Sequence, residues 1–129
     1  MTDALNLRAS RRYGTLSPLR YPGGKAALAG LFADVIDGLG LKNPLYVEPY
    51  AGGAGAGIAL LREGLIDRLV INDFDPAVFA FWKAITTEPK RFIDRLMNVD
   101  LSVEEWIDQR EVYRASSRST FDVGFATFY

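Results

Sequence analysis

The sequence contains neither cysteine nor histidine. Without cysteine there is no disulfide framework, no thiolate nucleophile and no thiolate zinc site. Without histidine, the side chain best suited to proton transfer at neutral pH and the commonest metal ligand is missing as well. Chemistry here has to rest on carboxylates, amines, aromatic rings and the backbone, and no metal is expected. Long apolar runs are also lacking. None approaches the roughly 18 residues of a membrane span, and no apolar h-region follows the charged N-terminus, so the expected location is cytoplasmic and no membrane partner is expected. Nor is there an excess of one charge: 15 Lys and Arg oppose 16 Asp and Glu, leaving a net charge of −1. That argues against a domain that coats nucleic acid by bulk charge. The basic groups are nevertheless concentrated early, where Arg8, Arg11, Arg12, Arg20 and Lys25 face only Asp3.

What is present is an ordinary globular composition. The chain has 129 residues, 49% of them hydrophobic and 24% charged, enough for one domain with a real core. Residues 1–16 are polar, basic and aperiodic and read as a flexible leader, with no core residues expected among them; residues 17–129 form the domain. Leu28, Leu31, Phe32, Val35, Ile36 and Leu39 recur at helical spacing before Gly38 and Gly40, and predict an amphipathic helix. Leu45-Tyr46-Val47 and Leu69-Val70-Ile71 read as short buried parallel strands, with a helix over Ile58–Arg62 between them. Asp75 is placed to cap a helix beginning at Pro76, with Val78, Phe79, Trp82 and Ile85 on one side. Pro89 opens a helix with Phe92, Ile93 and Leu96 on one face. Ser102 and Glu105 form a capping box for another through Trp106 and Tyr113. The expected class is α/β with an incomplete sheet and a helical C-terminal half.

Two segments carry chemistry. In Tyr46-Val47-Glu48-Pro49-Tyr50-Ala51-Gly52-Gly53-Ala54-Gly55-Ala56-Gly57 a carboxylate ends a strand, and a turn with few side chains leads into a helix. Such a turn lets backbone amides approach a ligand, and the carboxylate can accept from an amine or hydroxyl. The spacing is not the dinucleotide G-x-G-x-x-G, because Ile58 stands where the third glycine belongs, and this counts against an NAD-dependent oxidoreductase. Asp73, about 20 residues past the turn, ends the next strand, where nucleotide folds place a carboxylate on ribose. Each feature alone also fits a packing turn or a strand-end cap; together they favour a nucleoside site. Arg20-Tyr21-Pro22-Gly23-Gly24-Lys25 adds an opened backbone, an aromatic face and a cation before the first helix, a pattern that a simple Pro-Gly turn with a solvated lysine also satisfies.

These blocks, with Ile71-Asn72-Asp73-Phe74-Asp75, resemble in order and spacing the N-terminal half of the Dam-like DNA adenine-N6 methyltransferases, over about residues 16–129. The resemblance implies a Rossmann-like, S-adenosylmethionine-dependent methyltransferase fold and a site-specific DNA methyltransferase (adenine-specific) acting on double-stranded DNA. It implies that Tyr21, Gly23, Gly24 and Lys25 contact the S-adenosyl-L-methionine cofactor. Glu48, Pro49, Tyr50, Ala51, Gly52 and Gly53 would form the methionine-side loop, Asp73 would hold the ribose hydroxyls and Phe74 would lie beside the adenine. The family's catalytic Asp-Pro-Pro-Tyr does not occur; Asp75-Pro76-Ala77-Val78 shares two residues with it. No catalytic residue is therefore assigned. The chain is expected to be the cofactor-binding portion, inactive alone and cut off after its aromatic end, with a non-catalytic S-adenosylmethionine or nucleotide-binding regulatory module as the alternative. Phe121 to Tyr129 are expected to leave an exposed apolar patch. Trp82, Phe92 and Trp106 are expected in the core, and Arg110, Arg114 and Arg118 on one solvated helix face or along DNA phosphates.

Overall fold

The computed structural model describes residues 16–115 and 118–129. All of the leader except Leu16 lies outside these residues. The chain divides into two compact units, Met1–Asn72 and Asp73–Tyr129.

In the first unit a single 3-10 turn, Lys25–Leu28, runs into α1, Ala29–Gly38. Then come β1, Leu45–Glu48, α2, Gly55–Arg62, and β2, Arg68–Ile71. The two strands are parallel, in the register Leu45 with Arg68 through Glu48 with Ile71. Both helices end in the same way. Gly40 and Gly64 take positive φ, and the amides of Gly40 and Leu41, like those of Gly64 and Leu65, bond back to carbonyls of the last turn. This Schellman closure releases the chain sharply after each helix.

Alanines form much of the core. Ala29, Ala56 and Ala59 meet with Leu16 and Phe32 at their edge, and Ala33, Leu60 and Ile66 with Ile36, Tyr46 and Leu69. Leu16 thus joins the packing, although no core residue was expected that early. The small side chains let α1 lie close to α2, so its buried stripe runs through Ala29 and Ala33 while Leu31 and Leu39 remain exposed. The strands are not buried on both faces as the apolar runs suggested. Tyr46, Glu48, Leu69 and Ile71 point inward, while Leu45 and Val47 are half exposed on the opposite face. The reason is that α1 and α2 supply a single helical layer.

The second unit is helical: α3, Pro76–Thr87; α4, Pro89–Asn98; α5, Val103–Arg114; and α6, Thr120–Phe128. The Asp75 cap forms, its carboxylate accepting from the Ala77 amide at 2.8 Å. Of the Ser102 capping box only half forms. Ser102 Oγ accepts from the Glu105 amide, but the Glu105 carboxylate takes the side-chain amide of Gln109, and the Ser102 amide donates to the Tyr129 hydroxyl. Ser119 caps α6 through the Asp122 amide.

The core of this unit is aromatic. Phe92 sits among Phe81, Phe121, Phe125 and Phe128, with ring centroids 5.3 to 6.1 Å away. The expected patch at Phe121 to Tyr129 is therefore corrected, since Phe121 and Phe125 are buried and α6 packs on α3. Gly124 makes this packing possible, because a Cβ there would lie 2.3 Å from the Ala80 carbonyl oxygen. Phe81, which was not singled out, is fully buried, whereas Phe79 and Ile93 are exposed. Trp82 and Phe92 are core residues as expected. Trp106 is not: it is half exposed, with the Arg110 guanidinium 5.1 Å from its ring centre. The arginine row is interrupted as well, because α5 ends at Arg114, four residues before Arg118. Among the described residues no helix is long and apolar enough to cross a membrane.

Candidate functional site

The glycine-rich turn is held at the end of the parallel strand pair by backbone bonds. Asn72 donates to the Glu48 carbonyl and its own carbonyl accepts from Ala51, both at 2.9 Å. The Asn72 side chain reaches the Pro49 carbonyl at 3.4 Å. Residues 51–57 are all buried, and Ala54 turns the chain into α2 with a φ of 49°.

Ala54 offers no side-chain cap to α2. Glu48 does so from the adjacent strand: its Oε1 accepts from the Gly57 amide, in the first turn of α2, at 2.7 Å. An anion at a helix N-terminus satisfies an orphan donor and the helix dipole together. Gly57 is required for this approach, since a Cβ there would stand 2.5 Å from Leu69 Cδ1 and 2.9 Å from Glu48 Oε1. The place where a phosphate would sit in a nucleotide-binding loop is thus filled by the protein's own carboxylate.

The other oxygen, Glu48 Oε2, is buried and makes no hydrogen bond. Its nearest cation is Lys25 Nζ, 3.6 Å away, and that ammonium donates to the Tyr50 carbonyl at 2.5 Å. A buried carboxylate with one satisfied oxygen is matched to a ligand group that brings N–H donors and positive charge. The same carboxylate, after burial itself, pushes the Tyr46 phenol up to about 12.

The segment before the 3-10 turn covers the glycines. A Cβ on Gly52 would fall 2.7 Å from the Tyr21 ring, and one on Gly53 would lie 3.0 Å from both the Leu19 carbonyl and Ser17 Oγ. Between this segment and the turn runs a cleft of about 490 Å³, lined by Ser17, Arg20, Tyr21, Pro22, Gly24 and Gly53 among others. Glu48 and Lys25 are not in its lining.

The first unit therefore brings together Tyr21, Lys25, Glu48, Tyr50 and Gly52, with Pro49, Ala51 and Gly53 in the same turn; Gly23 and Gly24 are exposed on the covering segment. Asp73 and Phe74 open the second unit. There Asp73 Oδ1 accepts from the Asp75 amide at 3.0 Å, and Phe74 is 88% exposed. Sequence reasoning gave no individual role to Ser17, Leu19 or Gly57, which lie against or within the turn. Only Gly57 had a signal, its position in the first helical turn after the strand-end acid. Among the described residues no three metal-ligand side chains cluster.

These features define a class: an α/β protein whose parallel strand, glycine turn and helix are built around a buried carboxylate that still lacks a donor. The family follows from comparison. A family model described as D12 class N6 adenine-specific DNA methyltransferase matches residues 21–123, and the chain belongs to that family. Searches of curated proteins and of solved structures return no match.

Proposed function

We propose that this chain is the S-adenosyl-L-methionine-binding portion of a site-specific DNA methyltransferase that modifies N6 of adenine in double-stranded DNA, and that the first unit belongs to a Rossmann-like methyltransferase sheet. The observation that carries the reading is Glu48, buried, with one oxygen bonded to the Gly57 amide and the other without a hydrogen-bond donor, 3.6 Å from Lys25. A nucleotide phosphate is repelled by that carboxylate, whereas the ammonium of a methionine moiety is attracted. The Gly52 and Gly53 backbone would border the methionine end, and Tyr21 would offer its ring. By family resemblance, Asp73 would accept from the ribose hydroxyls and Phe74 would lie against the adenine.

When bound, the cofactor supplies an electrophilic methyl group on a sulfonium. The residues of this chain bind and orient that donor. Methyl transfer also needs groups that place the target amine in line and accept its proton, the task of the family's Asp-Pro-Pro-Tyr, and the sequence contains no such run. Binding without turnover is the expected behaviour.

Calorimetry with S-adenosylhomocysteine tests the reading. The wild-type chain should bind. Glu48→Ala should lose about 1.5–3 kcal/mol of binding, the worth of a hydrogen bond to a charged group, and Asp73→Ala about 1–3 kcal/mol. No binding by the wild type, or full affinity in Glu48→Ala, would overturn it. A tritiated-methyl assay on adenine-containing duplex DNA should give no incorporation with this chain, and specific methylation would show that another group does the work assigned to the missing run.

A further inference from the structure

We infer that Lys25 is a positioning residue for the Glu48 site and not a receptor for the ligand's carboxylate; the inference rests on the reading of the site given above. The resemblance assigns Lys25 to the cofactor, yet its ammonium already has two partners within the protein. It donates to the Tyr50 carbonyl at 2.5 Å and faces Glu48 Oε2 at 3.6 Å. The Glu48 side chain is 2% exposed, and a buried carboxylate is costly unless an opposite charge lies beside it. Lys25 is the cation found beside it.

Lys25 also begins the 3-10 turn, and its neighbours pin that turn to the loop. Ala26 lies against Gly55, where an added Cβ would come within 2.8 Å of the Ala26 methyl group, and Tyr21, four residues earlier, lies on Gly52. One ammonium thus joins three parts: the covering segment, the Tyr50 turn and the buried acid. Its loss removes the bond to the Tyr50 carbonyl and leaves Glu48 without its counter-charge, while Tyr21 and Ala26 still hold the segment against the turn. Lys25 therefore acts on a ligand through Glu48, and its effect should follow the ligand's amine, not its carboxylate.

The test is calorimetry of wild type, Lys25→Met and Lys25→Arg with three ligands. S-Adenosylhomocysteine carries amine and carboxylate, its decarboxylated form carries the amine alone, and 5′-methylthioadenosine carries neither. Lys25→Met should weaken the two amine-bearing ligands by the same factor, at least fivefold, and methylthioadenosine by less than twofold. Lys25→Arg should recover most of the loss, since a guanidinium can still face Glu48 and donate to Tyr50. A loss confined to S-adenosylhomocysteine would make Lys25 a carboxylate receptor and overturn the inference. An equal loss on all three ligands would reduce it to general support of the fold, and a gain in affinity would make it a competitor for Glu48; either result also overturns it. Failure of the wild type to bind any of the three would instead sink the reading of the site itself.

Discussion

The two units solve the packing problem in opposite ways. The first is built of alanine and glycine, with backbones in close approach and long aliphatic side chains such as Leu31, Leu39 and Val47 left at the surface. The second is built of phenylalanine, with four rings gathered around Phe92, serine and aspartate caps on three helices, and Arg91 and Arg95 lying over Phe121 and Phe125 at 3.7 and 4.2 Å. Close backbone approach is what a recognition turn needs, because amides and a buried carboxylate have to meet without side chains between them. An aromatic core gives area instead. The difference leaves close backbone approach and the buried Glu48 carboxylate in the first unit and bulk hydrophobic stabilisation in the second.

The largest expected effect tests the aromatic side of this contrast. Phe81→Ala removes the fully buried ring that stacks on Phe128, and should destabilise the second unit by about 3–5 kcal/mol. Denaturant melts followed by tryptophan fluorescence would report it, since both tryptophans, Trp82 and Trp106, lie in that unit. A cost below about 1 kcal/mol would mean that the core repacks freely and the contrast is weaker than drawn.

A smaller effect is expected on the glycine side. Gly57→Ala adds one methyl group against Leu69 and Glu48, and should cost roughly 1–3 kcal/mol through overpacking while displacing the carboxylate. Hydrogen exchange of the residue 57 amide would show the broken bond directly. Unchanged protection there would show that the turn can yield, against the tight approach argued for it.

The smallest effects are in pH dependence, and they separate the units by direction. Asp122 is held below the usual carboxylate range by the Ser119 hydroxyl and then by Arg95, outweighing its partial burial. A lowered carboxylate contributes stability above its unfolded value, so this contribution should be lost on acidification through the folded value, and Asp122→Asn should flatten the acid limb in the second unit. Tyr46 behaves the other way. Raised to about 12, it favours the folded state fully below about 10 and loses that contribution as pH rises toward 12. Tyr46→Phe should flatten the alkaline limb in the first unit. An unchanged pH profile for either variant would remove that residue from the comparison.

The sequence by itself determined the features that short-range physics decides. The order strand, glycine turn, helix, strand was legible because apolar runs and glycine interruptions act within a few residues. The Asp75 and Ser102 caps were legible because a cap bonds within its own first turn. Glu48 stood out as an acid ending a strand before a turn poor in side chains, and the three motif blocks carried the family. Tertiary structure alone decided which groups meet across the chain. It chose Ala29 and Ala33 over Leu31 and Leu39 as the buried stripe of α1, because only small side chains let two helices approach so closely. It turned Trp106 outward and put Phe81 and the chain's last helix into the core, because periodicity marks an apolar face but not which neighbour covers it. It gave Glu48 the Gly57 amide and set Lys25 between Glu48 and the Tyr50 carbonyl, residues 9 and 25 positions apart in the chain. Such pairings depend on where the strands and helices lie against one another, and no local pattern of residues encodes that.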